Sequence, residues 1–105
     1  MDRRGEKLKE ALRETAALFL AREAGHQSLI TVTRAELGED GKHAQILITV
    51  YPESSENAAL AFANRNRSEL ADFFRKRIRG AQMPRVEFLI DRGEKNRQRL
   101  DELTK

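Results

Sequence analysis

The chain has 105 residues, no cysteine, 35% charged and 39% hydrophobic side chains, and a formal net charge of +3. That length suits a single domain, 1–105, with a modest core, and the lack of cysteine excludes disulfides and thiolate metal sites. No stretch approaches the roughly 18 apolar residues of a membrane span, and Met1-Asp2-Arg3-Arg4-Gly5-Glu6 has no apolar run behind it, so a cytoplasmic protein without a secretory signal or membrane partner is expected.

Residues 6–24 read as a helix. Leu8, Leu12, Thr15, Ala16 and Phe19 recur at steps of three and four, with Ala11 and Leu18 widening the stripe. Gly25 is the expected stop, because glycine takes positive φ at little cost. Residues 28–37 change period. Leu29-Ile30-Thr31-Val32-Thr33 is β-branched and apolar, and Ala35 and Leu37 continue the strand. Gly38-Glu39-Asp40-Gly41 is a turn, and residues 43–51 return as an antiparallel strand with Ala44, Ile46, Ile48 and Val50 on one face. Pro52 ends it.

Ser54 or Ser55 is placed to cap the next helix, which opens near Glu56. Ala58, Ala61, Phe62 and Ala63 mark its apolar side. Leu70, Phe73, Phe74, Arg77 and Ile78 form a second stripe, and the polar run Asn64-Arg65-Asn66-Arg67-Ser68 separates the two. A break between Asn64 and Ser68 is therefore predicted, with Ser68 as cap of the second helix. Gly80 closes the helical region, and Pro84 cannot lie in a helix interior. Residues 85–91 are a third strand with Val86, Phe88 and Ile90 inward. Asp91-Arg92-Gly93 reads as a turn, and 92–105 as a short polar helix or tail in which Leu100 and Leu103 can dock.

The basic charge is concentrated. Residues 1–24 hold six basic and five acidic side chains, whereas 65–85 hold Arg65, Arg67, Arg75, Lys76, Arg77, Arg79 and Arg85 against Glu69 and Asp72. A solvated helix face explains such a run as readily as a nucleic-acid site does. Concentration favours the second reading, because an anionic backbone is met by a patch rather than by an average, and arginine presents a planar fork suited to phosphate. Arg75 and Arg79, spaced i,i+4, are expected on one helical face, with Arg65 and Arg67 flanking the break and Asn64 and Asn66 adding polar contacts.

Enzyme signatures are lacking. The sequence has no phosphate-binding loop, dinucleotide fingerprint or HExxH motif. His26 and His43 are assigned surface or structural roles rather than metal binding, and Asp40 a turn-forming one. Phe19, Phe62, Phe73 and Phe74 fall in apolar stripes and are assigned to the core, with one of the adjacent Phe73 and Phe74 left partly exposed. Tyr51, at a strand end, is a candidate for base stacking. No cofactor or metal is called for.

The order helix-strand-strand-helix-helix-strand is that of a type II KH domain, an α+β fold with helices on one face of a three-stranded sheet. The run Leu29-Ile30-Thr31-Val32-Thr33-Arg34-Ala35-Glu36-Leu37, then Asp40 and Ala44-Gln45-Ile46-Leu47-Ile48, resembles the hairpin of the ribosome-binding factor A family. Met83-Pro84-Arg85-Val86-Glu87-Phe88-Leu89-Ile90-Asp91 is similar to that family's last strand, and Arg99-Leu100-Asp101-Glu102-Leu103 to its end. The resemblance covers about residues 6–103. It implies a non-enzymatic factor that binds the small ribosomal subunit and assists maturation of its RNA, monomeric when free. It also implies that an interhelical kink replaces the usual KH loop. Asn66-Arg67-Ser68 stands at that place, with serine where the family has glycine, and the family's Asp-Pro-Arg-Leu segment after the first helix is missing. With the arginine-rich face it makes Arg75, Arg79, Arg65, Arg67, Lys76, Arg77, Arg85 and Asn66 the expected RNA contacts. Two other readings stay open: a protein-interaction module that uses the sheet or first helix, and a small acylphosphatase-like hydrolase.

Overall fold

The computed structural model describes residues 3–23 and 28–94. Its elements are α1 (Arg3–Glu23), β1 (Leu29–Leu37), β2 (His43–Tyr51), a 3₁₀ turn (Glu53–Ser55), α2 (Glu56–Arg65), α3 (Arg67–Arg77) and β3 (Arg85–Ile90). The sheet has the order β1-β2-β3, with β1 antiparallel and β3 parallel to the central β2. It is an α+β fold in the expected element order, with the helices on one face of a mixed sheet.

The core lies between that face and the helices. Val32, Ala35, Ala44, Ile46, Ile48, Val50, Val86 and Phe88 are buried from the sheet side. Leu12, Ala16, Phe19 and Leu20 meet them from α1, Ala59 and Ala63 from α2, and Leu70 and Phe74 from α3. The stripe on α1 runs through Leu20 rather than Leu18, which is 47% exposed. Leu20 lies four residues past Ala16, whereas Leu18 sits roughly 200° around the helix from it. The same arithmetic on α2 buries Ala59 with Ala63 and leaves Ala58 and Ala61 at the surface. Of the adjacent phenylalanines, Phe74 is fully buried and Phe73 half-buried, its ring 5.9 Å from that of Phe19 and beneath the Arg22 guanidinium at 5.4 Å.

A bulge at Thr33 sets the phase of β1. Val32 pairs with Ile48 and Arg34 with Leu47, so Thr33 is the extra residue. Without it, a period of two from Ile30 and Val32 would bring Arg34 and Glu36 into the core. With it, Ala35 and Leu37 face inward. The hairpin closes through Gly38 N–H to the His43 carbonyl at 2.8 Å, with Gly41 at φ +67°. Asp40 accepts from the Lys42 amide at 2.9 Å and lies 2.8 Å from His43 Nδ1, so both have the structural roles expected of them. The Lys42 amide, then His43, hold the Asp40 carboxyl below its usual range.

Several boundaries differ from those expected. α1 opens at Arg3, three residues before Glu6, and its expected stop at Gly25 lies outside the described residues. Ser55 occupies the N-cap of α2, but no side chain bonds there, because the 3₁₀ turn already delivers the chain into the helix. Ser68 does not cap α3. It lies inside the first turn, and Asn66 takes the cap position. α3 ends at Arg77, since Ile78 turns to extended geometry (φ −117°, ψ 97°). Arg79 therefore lies beyond the helix and does not share a helical face with Arg75. Instead of a free turn, Asp91 begins a helical turn at 92–94, its carboxylate accepting from the Glu94 amide at 3.0 Å. The remainder of the predicted tail, 95–105, lies outside the described residues.

Candidate nucleic-acid interface

The polar run between the two helical stripes forms the joint. The Asn66 side-chain amide donates to the Phe62 carbonyl at 2.8 Å, and its backbone N–H reaches the Phe62 and Ala63 carbonyls at 3.2 Å. Those bonds finish α2. The Asn66 carbonyl then accepts from the Leu70 amide at 3.0 Å, which starts α3. Asn66 has φ −100° and ψ 21°, a conformation open to any residue, so this joint requires no glycine.

The joint also fastens β3. That strand pairs with β2 along one edge, leaving the groups of Val86 and Phe88 turned outward. Asn64 answers Phe88 twice: its side-chain oxygen accepts from the Phe88 N–H at 2.9 Å, and its amide donates to the Phe88 carbonyl at 3.3 Å. Arg67 donates through Nε to the Asn64 carbonyl at 2.9 Å and through Nη1 to the Val86 carbonyl at 3.2 Å. An edge strand is thereby closed by side chains rather than by another strand. The sequence suggests surface contacts for these residues. The structure commits Asn64, Asn66 and two N–H groups of Arg67 to the protein's own backbone.

Beside the joint runs an open groove of about 700 Å³. Arg67, Ser68, Ala71 and Arg75 of α3 form one wall, and residues 81–84 with Arg85 and Val86 form the other. Three of the expected arginines thus line one concavity. Arg75 pairs with Asp72, one turn away, where both side chains are well exposed, so the pair is worth little and is readily exchanged. Arg85 has no acidic partner among the described residues.

The other expected residues are dispersed. Arg77 donates to the buried hydroxyl of Thr15 at 3.0 Å and lies 3.7 Å from Glu14, which ties α3 to α1. Lys76 and Arg77 line a second groove, with Arg22 and Phe73, between those helices. Arg65 is exposed at the end of α2 and Arg79 in the turn after α3. The basic segment is therefore not one face. Sequence reasoning missed Ser68 and Gln82 as polar lining of the first groove. It also missed Arg22 over Phe73, although its position three residues past the core residue Phe19 was a signal.

At the far end of β3 lies a buried carboxylate. Asp91 is 4% exposed, and its amide donates to the Ile48 carbonyl at 2.7 Å. The bulge hydroxyl of Thr33 lies 2.5 Å from the Asp91 carboxylate and 3.1 Å from the Leu47 carbonyl, so its single proton serves one acceptor at a time. Burial pushes the Asp91 carboxyl up. The Thr33 hydroxyl, the Glu94 amide, the Arg34 guanidinium 3.6 Å away and the Gly93 amide outweigh it and hold the group below its ordinary range. Among the described residues, no cluster of three or more histidines and carboxylates is placed to hold a metal ion. No helix among them is long and apolar enough to cross a membrane.

The family model for ribosome-binding factor A matches residues 3–104. The crystal structure of ribosome-binding factor A from Thermus thermophilus is similar, with a TM-score of 0.72 at 26% identity over 84% of this chain and 97% of that one. A Thermus thermophilus homology model of the factor, fitted into a cryo-EM map of its complex with the 30S subunit, gives a TM-score of 0.62 at 26% identity over 80% and 91% of the two chains. The solution structure of a Thermotoga maritima protein described as a putative ribosome binding factor A has a TM-score of 0.57 at 21% identity, over 81% and 80%, which is a likeness of fold. The family is not one of enzymes. A family match over nearly the whole length, on the fold and joint described above, makes the chain a member of the ribosome-binding factor A family.

Proposed function

We propose that this chain is an assembly factor that binds the small ribosomal subunit in the cytoplasm and touches its RNA chiefly through phosphates in the groove between α3 and β3. The observation that carries this reading is the convergence of Arg67, Arg75 and Arg85 on one concavity, with Ser68 and Gln82 beside them. Arginine forks in a groove suit the oxygens of a folded RNA backbone. This partner is supported by the family match and by the Thermus factor's homology model fitted into a map of a 30S complex.

Within this reading the residues divide. Arg75 and Arg85 are the principal phosphate contacts. Arg67 contributes the N–H groups its backbone bonds leave over. Arg79, Arg65 and Lys76 add charge at the margins, while Asn66 and Arg77 act by holding the joint and α3 in place. Binding depends on RNA shape, with little preference for short single strands.

Sedimentation of the chain with purified small and large subunits tests the reading, together with retention by isolated small-subunit RNA. Co-sedimentation with the small subunit alone, and retention by its RNA, is the expected result. Binding that survives removal of the RNA would overturn the reading in favour of a protein-interaction module.

A further inference from the structure

Three large hydrophobic side chains stand exposed among the described residues, and two of them, Leu29 at 67% and Tyr51 at 75%, are direct cross-strand partners. Directly opposite residues leave a sheet on the same side, with Cβ atoms about 4.5–5.5 Å apart. That side is the one away from the helices, since Ile30 and Val50, the next pair along, pack into the core. Thr31 and Thr49 form the next row on the open face. Tyr51 makes no hydrogen bond or ring contact among the described residues, so the fold leaves both its ring and its hydroxyl unused. The exposed parts of the two side chains amount to roughly 300 Å², well short of the roughly 800 Å² per partner of a stable protein interface. Glu53 and Arg92 are both exposed at this end of the sheet, so the local charge is balanced and exerts little pull on a phosphate. A flat ring beside an aliphatic chain, about as large as one nucleobase, suits the face of a base.

We propose that Tyr51, flanked by Leu29, stacks an unpaired base of the RNA at a contact separate from the arginine groove. Strand β2 runs from His43, the partner of Arg85 at the groove, to Tyr51, which is about 26 Å in extended chain. No single nucleotide spans that distance, so the two contacts engage different parts of the RNA. Every base has a π-face, so stacking here tolerates sequence and asks only that the base be unpaired. This rests on RNA being the partner, and not on the groove being its phosphate site.

Tyr51 is the chain's only tyrosine, so its ring signals form a single set in the NMR spectrum of the full chain. Titration with a short single-stranded oligoadenylate is expected to shift them upfield, as a stacked base shields the ring. Such a strand is a weak ligand, and NMR registers weak binding. Inorganic polyphosphate, an anion without bases, is expected to leave them in place. In retention by isolated small-subunit RNA, Tyr51→Ala should bind about tenfold more weakly, the order of one base–aromatic stack. Its salt slope should stay that of wild type, because no phosphate contact is lost. Tyr51→Phe keeps the ring and should restore the affinity. Ring signals unmoved by oligoadenylate, or wild-type RNA affinity in Tyr51→Ala, would overturn the stacking contact while the groove stands. So would a loss that Tyr51→Phe does not repair. A loss seen with whole subunits but not with their RNA would overturn it in favour of a protein partner. No retention of the wild type by RNA would overturn both this contact and the groove.

Discussion

Asn64 satisfies both outward groups of Phe88 with one side-chain amide, and its backbone carbonyl anchors Arg67. Asn64→Ala removes two partly buried hydrogen bonds and leaves an N–H and a carbonyl unpaired at a strand edge. The expected cost is about 1–3 kcal/mol, read as a lower urea midpoint at unchanged slope. Ser68→Ala, two positions inside α3 with no cap bond to lose, should stay within about 0.5 kcal/mol. From the sequence, both belong to one polar run, in which Ser68 rather than Asn64 looks like the residue with a bond to make. Which of them meets the edge of a strand more than twenty positions away is a tertiary fact that local spacing does not carry. Asp91 raises the same difficulty. Its place after a strand suggests a turn, while its role depends on a bulge hydroxyl 58 residues away. Since its folded pKa is depressed, its contribution to stability is complete above the unfolded value of about 3.9 and is lost as pH falls through the lower folded value. The stability gap between wild type and Asp91→Asn should therefore be constant near neutrality and close below about pH 4. A gap that widened on acidification would contradict this assignment.

Among the elements, those set by periodicity were legible and those set by closure were not. Strands β1 and β2, the two helical stripes, the break between them and β3 all appear in the alternation of apolar residues, because burial of one face dictates them. The bulge at Thr33 was also present, as a change of phase between Val32 and Ala35, but a phase change is visible only once strict alternation is required of the strand. The end of α3 was not legible. Arg75 to Arg79 reads as one more helical turn, yet Ile78 leaves the helix, its N–H held by the Phe74 carbonyl at 2.8 Å, and packs against the core. Gly80 then turns the chain at φ +79°. Gly80→Ala meets no steric neighbour there, so its cost is the backbone term alone, about 1–2 kcal/mol for an L-residue in that region. Thermal melting should show a lower midpoint for this variant. An unchanged midpoint would mean the turn does not require that conformation.

At the scale of the whole molecule, the basic residues divide by the surface they reach. Arg67, Arg75 and Arg85 converge on the groove, Lys76 and Arg77 lie toward α1, and Arg65 and Arg79 lie at element ends. Charge counting along the chain located the segment, and the fold brings only three of its members, from α3 and the start of β3, to the lining of one groove. Arg85, carried by β3, lines that groove opposite α3. Arg13 on α1, paired with Glu10, supplies the control. The most direct measurement is the affinity of Arg75→Ala/Arg85→Ala for small ribosomal subunits across a salt series, beside wild type and Arg13→Ala. Each phosphate contact removed should lower the slope of log affinity against log salt by about 0.7–0.9. The double variant should bind more weakly with a slope shallower by about 1.4–1.8, twice that increment, and Arg13→Ala should follow wild type. A folded double variant with wild-type affinity and wild-type slope would contradict the groove as the phosphate-binding surface.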